Sequence, residues 1–177
     1  DICITSSQKC LGLPPGLAVA SVSEKAYQAA KKVPHRGLYF DYVELVDFVR
    51  DRNHQYPSTP SLPHMFALDF QLDRILAEGL DNRFARHTAM AQRVRSWARE
   101  HFALYSNEQY LSNTVTCVDN TRDLSFSTLS AGLAERGYEI SDGYAALKGR
   151  TFRIAHMADT TLAEIEGLLD AIDDLVG

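Results

Sequence analysis

The most constraining feature of the sequence is a short segment near its start, in which one lysine lies between two apolar runs. Residues 2–4 are apolar, the polar run 5–9 ends at Lys9, and residues 17–20 are apolar again after the corner Pro14-Pro15-Gly16. Proline and glycine mark turns, and apolar runs on both sides of a turn are typical of paired strands. The segment therefore predicts strand, turn, strand, with Lys9 held on the turn.

A single amine on a rigid turn is the arrangement that Schiff-base chemistry requires. A lone lysine in a polar loop is more often a solvated surface charge. The position of Lys9 alone leaves both interpretations open, and the residues around it decide between them.

Those residues resemble a known family. Ser7-Gln8-Lys9, followed by Pro14-Pro15-Gly16-Leu17-Ala18, is similar to the lysine segment of the class V aminotransferases, which are fold-type I pyridoxal-phosphate enzymes. The group includes alanine–glyoxylate, serine–pyruvate and phosphoserine-like transaminases. It usually reads Thr-Gly-Ser-Gln-Lys, and Ser6 stands here in place of that glycine. The resemblance implies that Lys9 forms the Schiff base with pyridoxal 5'-phosphate and that Gln8 lies beside the cofactor phosphate.

Two further segments carry the resemblance. Tyr56 and Thr59 match the Tyr-x-x-Thr of the family's proline-bearing loop, whose hydroxyls reach the phosphate held by the neighbouring subunit; this implies a homodimer with a shared active site. The segment around Arg153 matches Phe-Arg-Ile-Gly-His-Met-Gly, with Ala155 and Ala158 in place of the two glycines. The match implies that Arg153 binds the substrate α-carboxylate as a bidentate pair. Composition alone would make the proline loop a linker and the arginine an exposed strand residue.

Helical and strand patterns alternate along the chain. The spacing predicts helices at 23–31, 41–53, 64–80, 82–102 and 125–136 and from 161, and strands at 113–118, 138–141 and 151–157. The arginines of the helix 82–102 are interpreted as a solvated charged face, and Trp97 as its anchor in the core. A long helix commonly bridges two lobes, so we place a domain boundary within the helix 82–102, at about residue 85. Residues 1–85 are then the last part of the large cofactor-binding domain. Residues 86–177 then form a small C-terminal α+β domain, a sheet with helices on one side.

Composition excludes several classes of protein. The 177 residues are 45% hydrophobic and carry a net charge of −5, which argues against a nucleic-acid binder. No apolar run approaches the roughly 18 residues of a membrane span, and no signal peptide is visible, so we expect a cytoplasmic protein. The cysteines and histidines show no spacing typical of a metal site.

The sequence therefore predicts the C-terminal half of an α/β, fold-type I aminotransferase, with the N-terminal half of the same protein as its partner. The resemblance implies transfer of an amino group between an amino acid of the alanine, serine or phosphoserine type and a 2-oxo acid such as glyoxylate, pyruvate or 2-oxoglutarate. The alternative is a non-catalytic α/β dimerisation or interaction module with a degenerate lysine segment.

Overall fold

The computed structural model describes residues 1–53 and 55–177 as two compact units, which divide between Arg74 and Ile75. The first unit holds β1 (Ile2–Ser6), β2 (Ala18–Val22), α1 (Glu24–Ala30), α2 (Tyr42–Asp51) and most of α3 (Leu62–Glu78). The second holds α4 (Leu80–His101), β3 (Ala103–Leu104), β4 (Val115–Asp119), α5 (Phe126–Glu135), β5 (Ser141–Asp142), β6 (Thr151–Ala155) and α6 (Leu162–Val176). Within these described ranges no helix is both long enough and apolar enough to cross a membrane.

In the first unit, β1 and β2 pair as an antiparallel hairpin. Ile2 lies opposite Val22 and Ser6 lies opposite Ala18, so the strand–turn–strand prediction for the lysine segment is confirmed. Ser6 ends β1 without a positive φ. A side chain is therefore accommodated where the resembling family has glycine.

Side-chain caps fix where most of the helices begin. Ser23, Asp41 and Ser125 each accept a hydrogen bond from a backbone N–H in the first turn of the helix that follows. Thr161 and Glu164 form a reciprocal capping box at α6. The sequence prediction of these helices is confirmed because capping is a local interaction between neighbouring residues.

Helix α3 begins earlier than the sequence predicts. The spacing predicts a helix from residue 64, yet α3 begins at Leu62 and contains Pro63 in its first turn. First-turn N–H groups have no acceptor within the helix, so the missing N–H of proline costs nothing there.

The second unit is an antiparallel sheet with the strand order β3-β4-β6-β5 and helices on one face, as predicted. Val118, Phe152 and Ile154 point from the sheet into a core shared with α4, α5 and α6. Trp97 is 1% exposed and donates its Nε1–H to Asp173 at 2.8 Å, so the predicted anchor is confirmed. Side chains alternate along a strand, and the neighbouring positions therefore lie on the opposite face of the sheet.

The predicted solvated face of α4 is wrong for its first two arginines. Arg83 is 6% exposed and its Nη1 donates to Glu78 at 2.8 Å and to Asp159 at 3.1 Å. Arg86 donates to both carboxylate oxygens of Glu78 and to backbone carbonyls of the turn 158–160. The two guanidinium groups thus fix the turn that follows β6 to the start of α4.

We expect this network to be sensitive to acid. Hydrogen bonds from Arg86, supported by Arg83, lower the pKa of Glu78 from 4.5 to about 2. Because the folded-state pKa lies below the unfolded one, the ion pair stabilises fully above about pH 4.5, and up to about 3 kcal/mol is lost as the pH falls toward 2. Urea unfolding across this range measures the loss. Glu78→Gln should lower stability at neutral pH and flatten the acid dependence; an unchanged slope in that variant would contradict the assignment.

A second prediction concerns the two alanines that replace family glycines. Ala158 has a φ of 61°, in the left-handed region, whereas Ala155 lies in β6. A left-handed conformation costs an L-residue about 1–2 kcal/mol, and glycine in a strand loses about 0.5–1 kcal/mol relative to alanine. Ala158→Gly should therefore raise the free energy of unfolding and the matched variant Ala155→Gly should lower it. Equal effects of the two substitutions would refute this explanation.

Candidate active site

Lys9 lies on a loop that Ser7 closes. The Ser7 side chain is buried; its hydroxyl donates to the carbonyl of Pro14 at 2.7 Å and accepts from the N–H of Leu17 at 3.3 Å. Its backbone N–H donates to the carbonyl of Leu17 at 2.9 Å, and its carbonyl accepts from the N–H of Leu13 at 2.9 Å. Four hydrogen bonds from one residue therefore close the loop 7–17 at its base.

A histidine from the start of α3 fixes the corner that ends the loop. His64 Nε2 lies 3.1 Å from the carbonyl oxygen of Pro15, and Nδ1 lies 2.8 Å from the hydroxyl of Ser61. A carbonyl only accepts, so Nε2 carries the proton that this contact needs. Gly16 has a φ of 143°, and a Cβ there would lie 2.7 Å from the imidazole Nε2, so only glycine fits. The imidazole thus ties the lysine loop to the residues that follow the proline loop.

The two side chains assigned to the cofactor from this loop are open to solvent. Lys9 and Gln8 are both exposed, and neither side chain has a hydrogen bond or an ion pair with any described residue. Ser7 and His64 hold the backbone on both sides of Lys9. The backbone at Gln8 and Lys9 is therefore held in place, while the amide and the amine remain available to a ligand.

Tyr56 and Thr59 lie on the proline loop of the same unit, and both are exposed. Tyr56 lines a cavity of about 700 Å³ together with apolar residues of β2, α2 and α3, whereas Thr59 does not line it. Within the described residues neither hydroxyl has a protein partner. Both are free to donate to a ligand or to another chain.

Arg153 lies in the second unit, on the sheet face opposite the core. Its Nε donates to the carbonyl of Asp142 at 3.0 Å, and Cys117 of β4 is its cross-strand partner. Arg153, Cys117 and Arg95 of α4 all line a cavity of about 150 Å³. The Nη1 and Nη2 atoms of Arg153 have no acceptor among the described residues, so they are available to a carboxylate.

His156, the residue after β6, has a structural role. It is completely buried; Nε2 lies 2.9 Å from the hydroxyl of Thr116 and Nδ1 lies 3.1 Å from the carbonyl of Asn113. Burial lowers the pKa of His156, so the ring is neutral, and the carbonyl contact requires the proton on Nδ1. The ring holds the segment that precedes β4 beside the end of β6.

Sequence reasoning missed two residues, one that holds the lysine loop of the first unit and one that lines the Arg153 cavity of the second. The contact between His64 and Pro15 spans 49 positions, and no local pattern indicates it. From the sequence alone, Arg95 is grouped with the other arginines of α4. Only the folded connection after β3, which brings Ser112 and Asn113 to Arg95, shows that its surroundings differ.

We expect Ser7→Ala to loosen the lysine loop. The substitution leaves the carbonyl of Pro14 and the N–H of Leu17 without their hydroxyl partner, which costs about 1–3 kcal/mol. Amide hydrogen exchange in residues 9–16 should accelerate strongly, with little change in the second unit. The matched variant Ser6→Ala, whose hydroxyl has no described partner, should leave exchange unchanged. Similar exchange in both variants would show that the hydroxyl does not close the loop.

Known aminotransferases are similar to this chain. No protein-family model matches it. An uncharacterized aminotransferase of Methanocaldococcus jannaschii is 35% identical over 177 residues, which cover 98% of this chain and 46% of that protein. Serine–glyoxylate aminotransferase of Arabidopsis thaliana is 31% identical over 179 residues, covering 98% of this chain and 44% of that protein. The crystal structure of pyridoxamine–pyruvate aminotransferase from Mesorhizobium loti superposes with a TM-score of 0.88 at 29% identity, covering 99% of this chain and 46% of the other.

The chain thus spans about half the length of the curated relatives that it matches. This coverage is consistent with the expected C-terminal half, and the similarity confirms the resemblance inferred from the lysine and arginine segments. The relatives of this chain are aminotransferases of the class V type, and its α/β fold is that of the matching half of a fold-type I pyridoxal-phosphate-dependent aminotransferase.

Proposed function

We propose that this chain forms part of a pyridoxal-phosphate-dependent transaminase of the class V type, which moves an amino group between an amino acid and a 2-oxo acid. One observation carries the proposal. Ser7 and His64 hold an exposed lysine on a closed loop, and this loop has the residue order of the resembling enzymes.

The donor groups fit pyridoxal 5'-phosphate. Lys9 offers an exposed primary amine, which is the group that condenses with an aldehyde. Tyr56 and Thr59 offer hydroxyl donors suited to phosphate oxygens, and Gln8 offers a neutral amide donor. When bound, the cofactor withdraws electrons from the substrate Cα after the α-proton is lost.

Four residues of the chain have separate roles in the proposed reaction. Lys9 would hold the cofactor covalently through its amine, and the same amine, when released, would move the α-proton of the substrate. Arg153 holds the substrate α-carboxylate through Nη1 and Nη2, which orients the Cα–H bond. Ser7 and His64 restrict the motion of the lysine loop, so that the amine meets its target within a narrow range of positions.

The names of the relatives suggest the class of substrates. Relatives are named for different pairs, serine with glyoxylate and pyridoxamine with pyruvate. We propose small amino acids of the alanine, serine or phosphoserine type as donors and glyoxylate, pyruvate or 2-oxoglutarate as acceptors. In a homodimer with a shared site, Tyr56 and Thr59 would serve the cofactor of the neighbouring subunit. The N-terminal half of the same protein would supply the remaining cofactor contacts.

Borohydride trapping tests the proposal directly. The protein in its complete native form is incubated with pyridoxal phosphate, reduced, digested and mapped by mass spectrometry. We expect a pyridoxyl adduct on Lys9 at near-stoichiometric yield, because this loop presents its amine to the cofactor. Exposed Lys25 serves as an internal control with the same chemistry and should remain unmodified.

Two outcomes would contradict the proposal. Equal labelling of Lys9 and Lys25 would show surface reactivity without a site. An unmodified Lys9 in the complete protein would favour the non-catalytic module. Lys9→Arg, which keeps the charge but has no nucleophilic primary amine, should abolish the adduct and the absorbance of bound cofactor together.

A further inference from the structure

We propose that Arg95 is a second anion-binding residue of the cavity that Arg153 lines, and that this cavity takes small acids with two acidic groups. Dicarboxylic amino acids and 2-oxo acids are ligands of this class. That such a ligand is the substrate rests on the proposed transaminase function, whereas its binding to the cavity does not.

The cavity lies where the chain leaves the edge of the sheet. β3 is two residues long, and the connection that follows it returns to the sheet only at Val115. The space between this connection and the sheet measures about 150 Å³, a size that suits a small acid. Arg95 lines it from α4, and Arg153 lines it from β6.

The guanidinium groups of Arg95 and Arg153 each have N–H groups without an acceptor among the described residues. Arg95 uses Nη2 to donate to the carbonyl of Ser112 at 2.6 Å and to Asn113 Oδ1 at 3.0 Å. Its Nε and Nη1 have no acceptor among the described residues, and the same holds for Nη1 and Nη2 of Arg153. A guanidinium carries five N–H donors, so Arg95 retains single N–H donors at Nε and Nη1, and Arg153 retains the adjacent pair at Nη1 and Nη2 for an acidic ligand.

Arg95 differs from every other arginine of its helix. The other four arginines of α4 each pair with a carboxylate in the described structure. These pairs are Arg83–Glu78, Arg86–Glu78, Arg93–Glu166 and Arg99–Glu108. None of the described residues that line the cavity is acidic.

The electrostatic environment of Arg95 favours an anionic ligand. Burial, together with the nearby charge of Arg99, lowers the pKa of Arg95. Arg95 is half-buried, so its charge is partly removed from water, and a bound acid would offset the cost of that burial. Two such charges on one small cavity favour a dianion over a monoanion.

The side chain of Arg95 is also held in position. Its partner Asn113 donates to the hydroxyl of Thr88 at 3.4 Å and accepts from the Nδ1–H of His156 through its carbonyl. Contacts with α4 and with the end of β6 therefore hold Asn113 in place, and Asn113 in turn holds Arg95. A preorganised donor loses less entropy when the ligand binds.

Cys117 provides a probe inside the cavity, and the exposed Cys3 and Cys10 of the first unit provide references within the same chain. Each thiol is alkylated with iodoacetate and with iodoacetamide, which differ mainly in charge, and the rates are read by peptide mapping. The ratio of the iodoacetate rate to the iodoacetamide rate should be higher at Cys117 than at either reference. Succinate should protect Cys117 at a lower concentration than propionate does, and should not protect the references.

Substitution then isolates Arg95. In Arg95→Gln the succinate concentration needed for protection should rise at least about tenfold, since a hydrogen bond to a charged group is lost, and the preference over propionate should disappear. Arg122→Gln is the matched control: it removes the same charge from the same unit, but Arg122 is bonded to the carbonyl of Val176 and does not line the cavity. Protection in this control should be unchanged. Arg95→Lys keeps the charge without the fixed planar donors of the guanidinium and should fall between the wild type and Arg95→Gln.

The proposal is overturned if Cys117 shows no preference for iodoacetate in the wild type, a result that needs no variant to fold. It is also overturned if succinate and propionate protect equally, or if Arg95→Gln keeps its melting temperature and its protection. The Lys9 adduct is measured independently. An adduct without succinate protection would reject the role of Arg95 alone, and protection without an adduct would reject the transaminase and keep the anion site.

Discussion

The lysine loop of the first unit depends on the hydroxyl of Ser7. Its bonds to Pro14 and Leu17 turn eleven residues into one closed loop, so the loop carrying Lys9 behaves as part of the hairpin rather than as a loose connection. A serine suits this position because it is small enough to be buried and carries both a donor and an acceptor. The chemistry proposed for the amine begins with this constraint, since an amine on a mobile loop would sample many positions.

In the second unit, the arginines of α4 differ in whether they have a carboxylate partner. Most arginines of α4 are neutralised by carboxylates and hold turns in place, as Arg86 does for the turn after β6. Arg95 is bonded only to uncharged groups, and it lines the cavity that Arg153 also lines. Arginine therefore has two roles along one helix: an arginine with a carboxylate partner holds the structure together, and one without such a partner can bind an anion.

Much of the fold was accessible from local signals. Helices α1, α2, α5 and α6 are marked by their caps and by the spacing of apolar residues, and β6 by the alternation of buried Phe152 and Ile154. Local rules failed at Pro63, because the cost of a proline depends on which turn of the helix it occupies. They also failed at Arg83, because burial of a charge depends on partners such as Asp159, far away along the chain.

The sequence by itself determined the hairpin around Lys9, the sheet with helices on one side, and the resemblance that assigns roles to Gln8, Tyr56, Thr59 and Arg153. These features rest on residue order and on interactions between near neighbours. Only the tertiary structure decided that His64 holds the lysine corner, that Arg95 faces the Arg153 cavity, and that Ala158 adopts a left-handed conformation. Each of these arises from contacts or backbone geometry that exist only once distant segments have packed together.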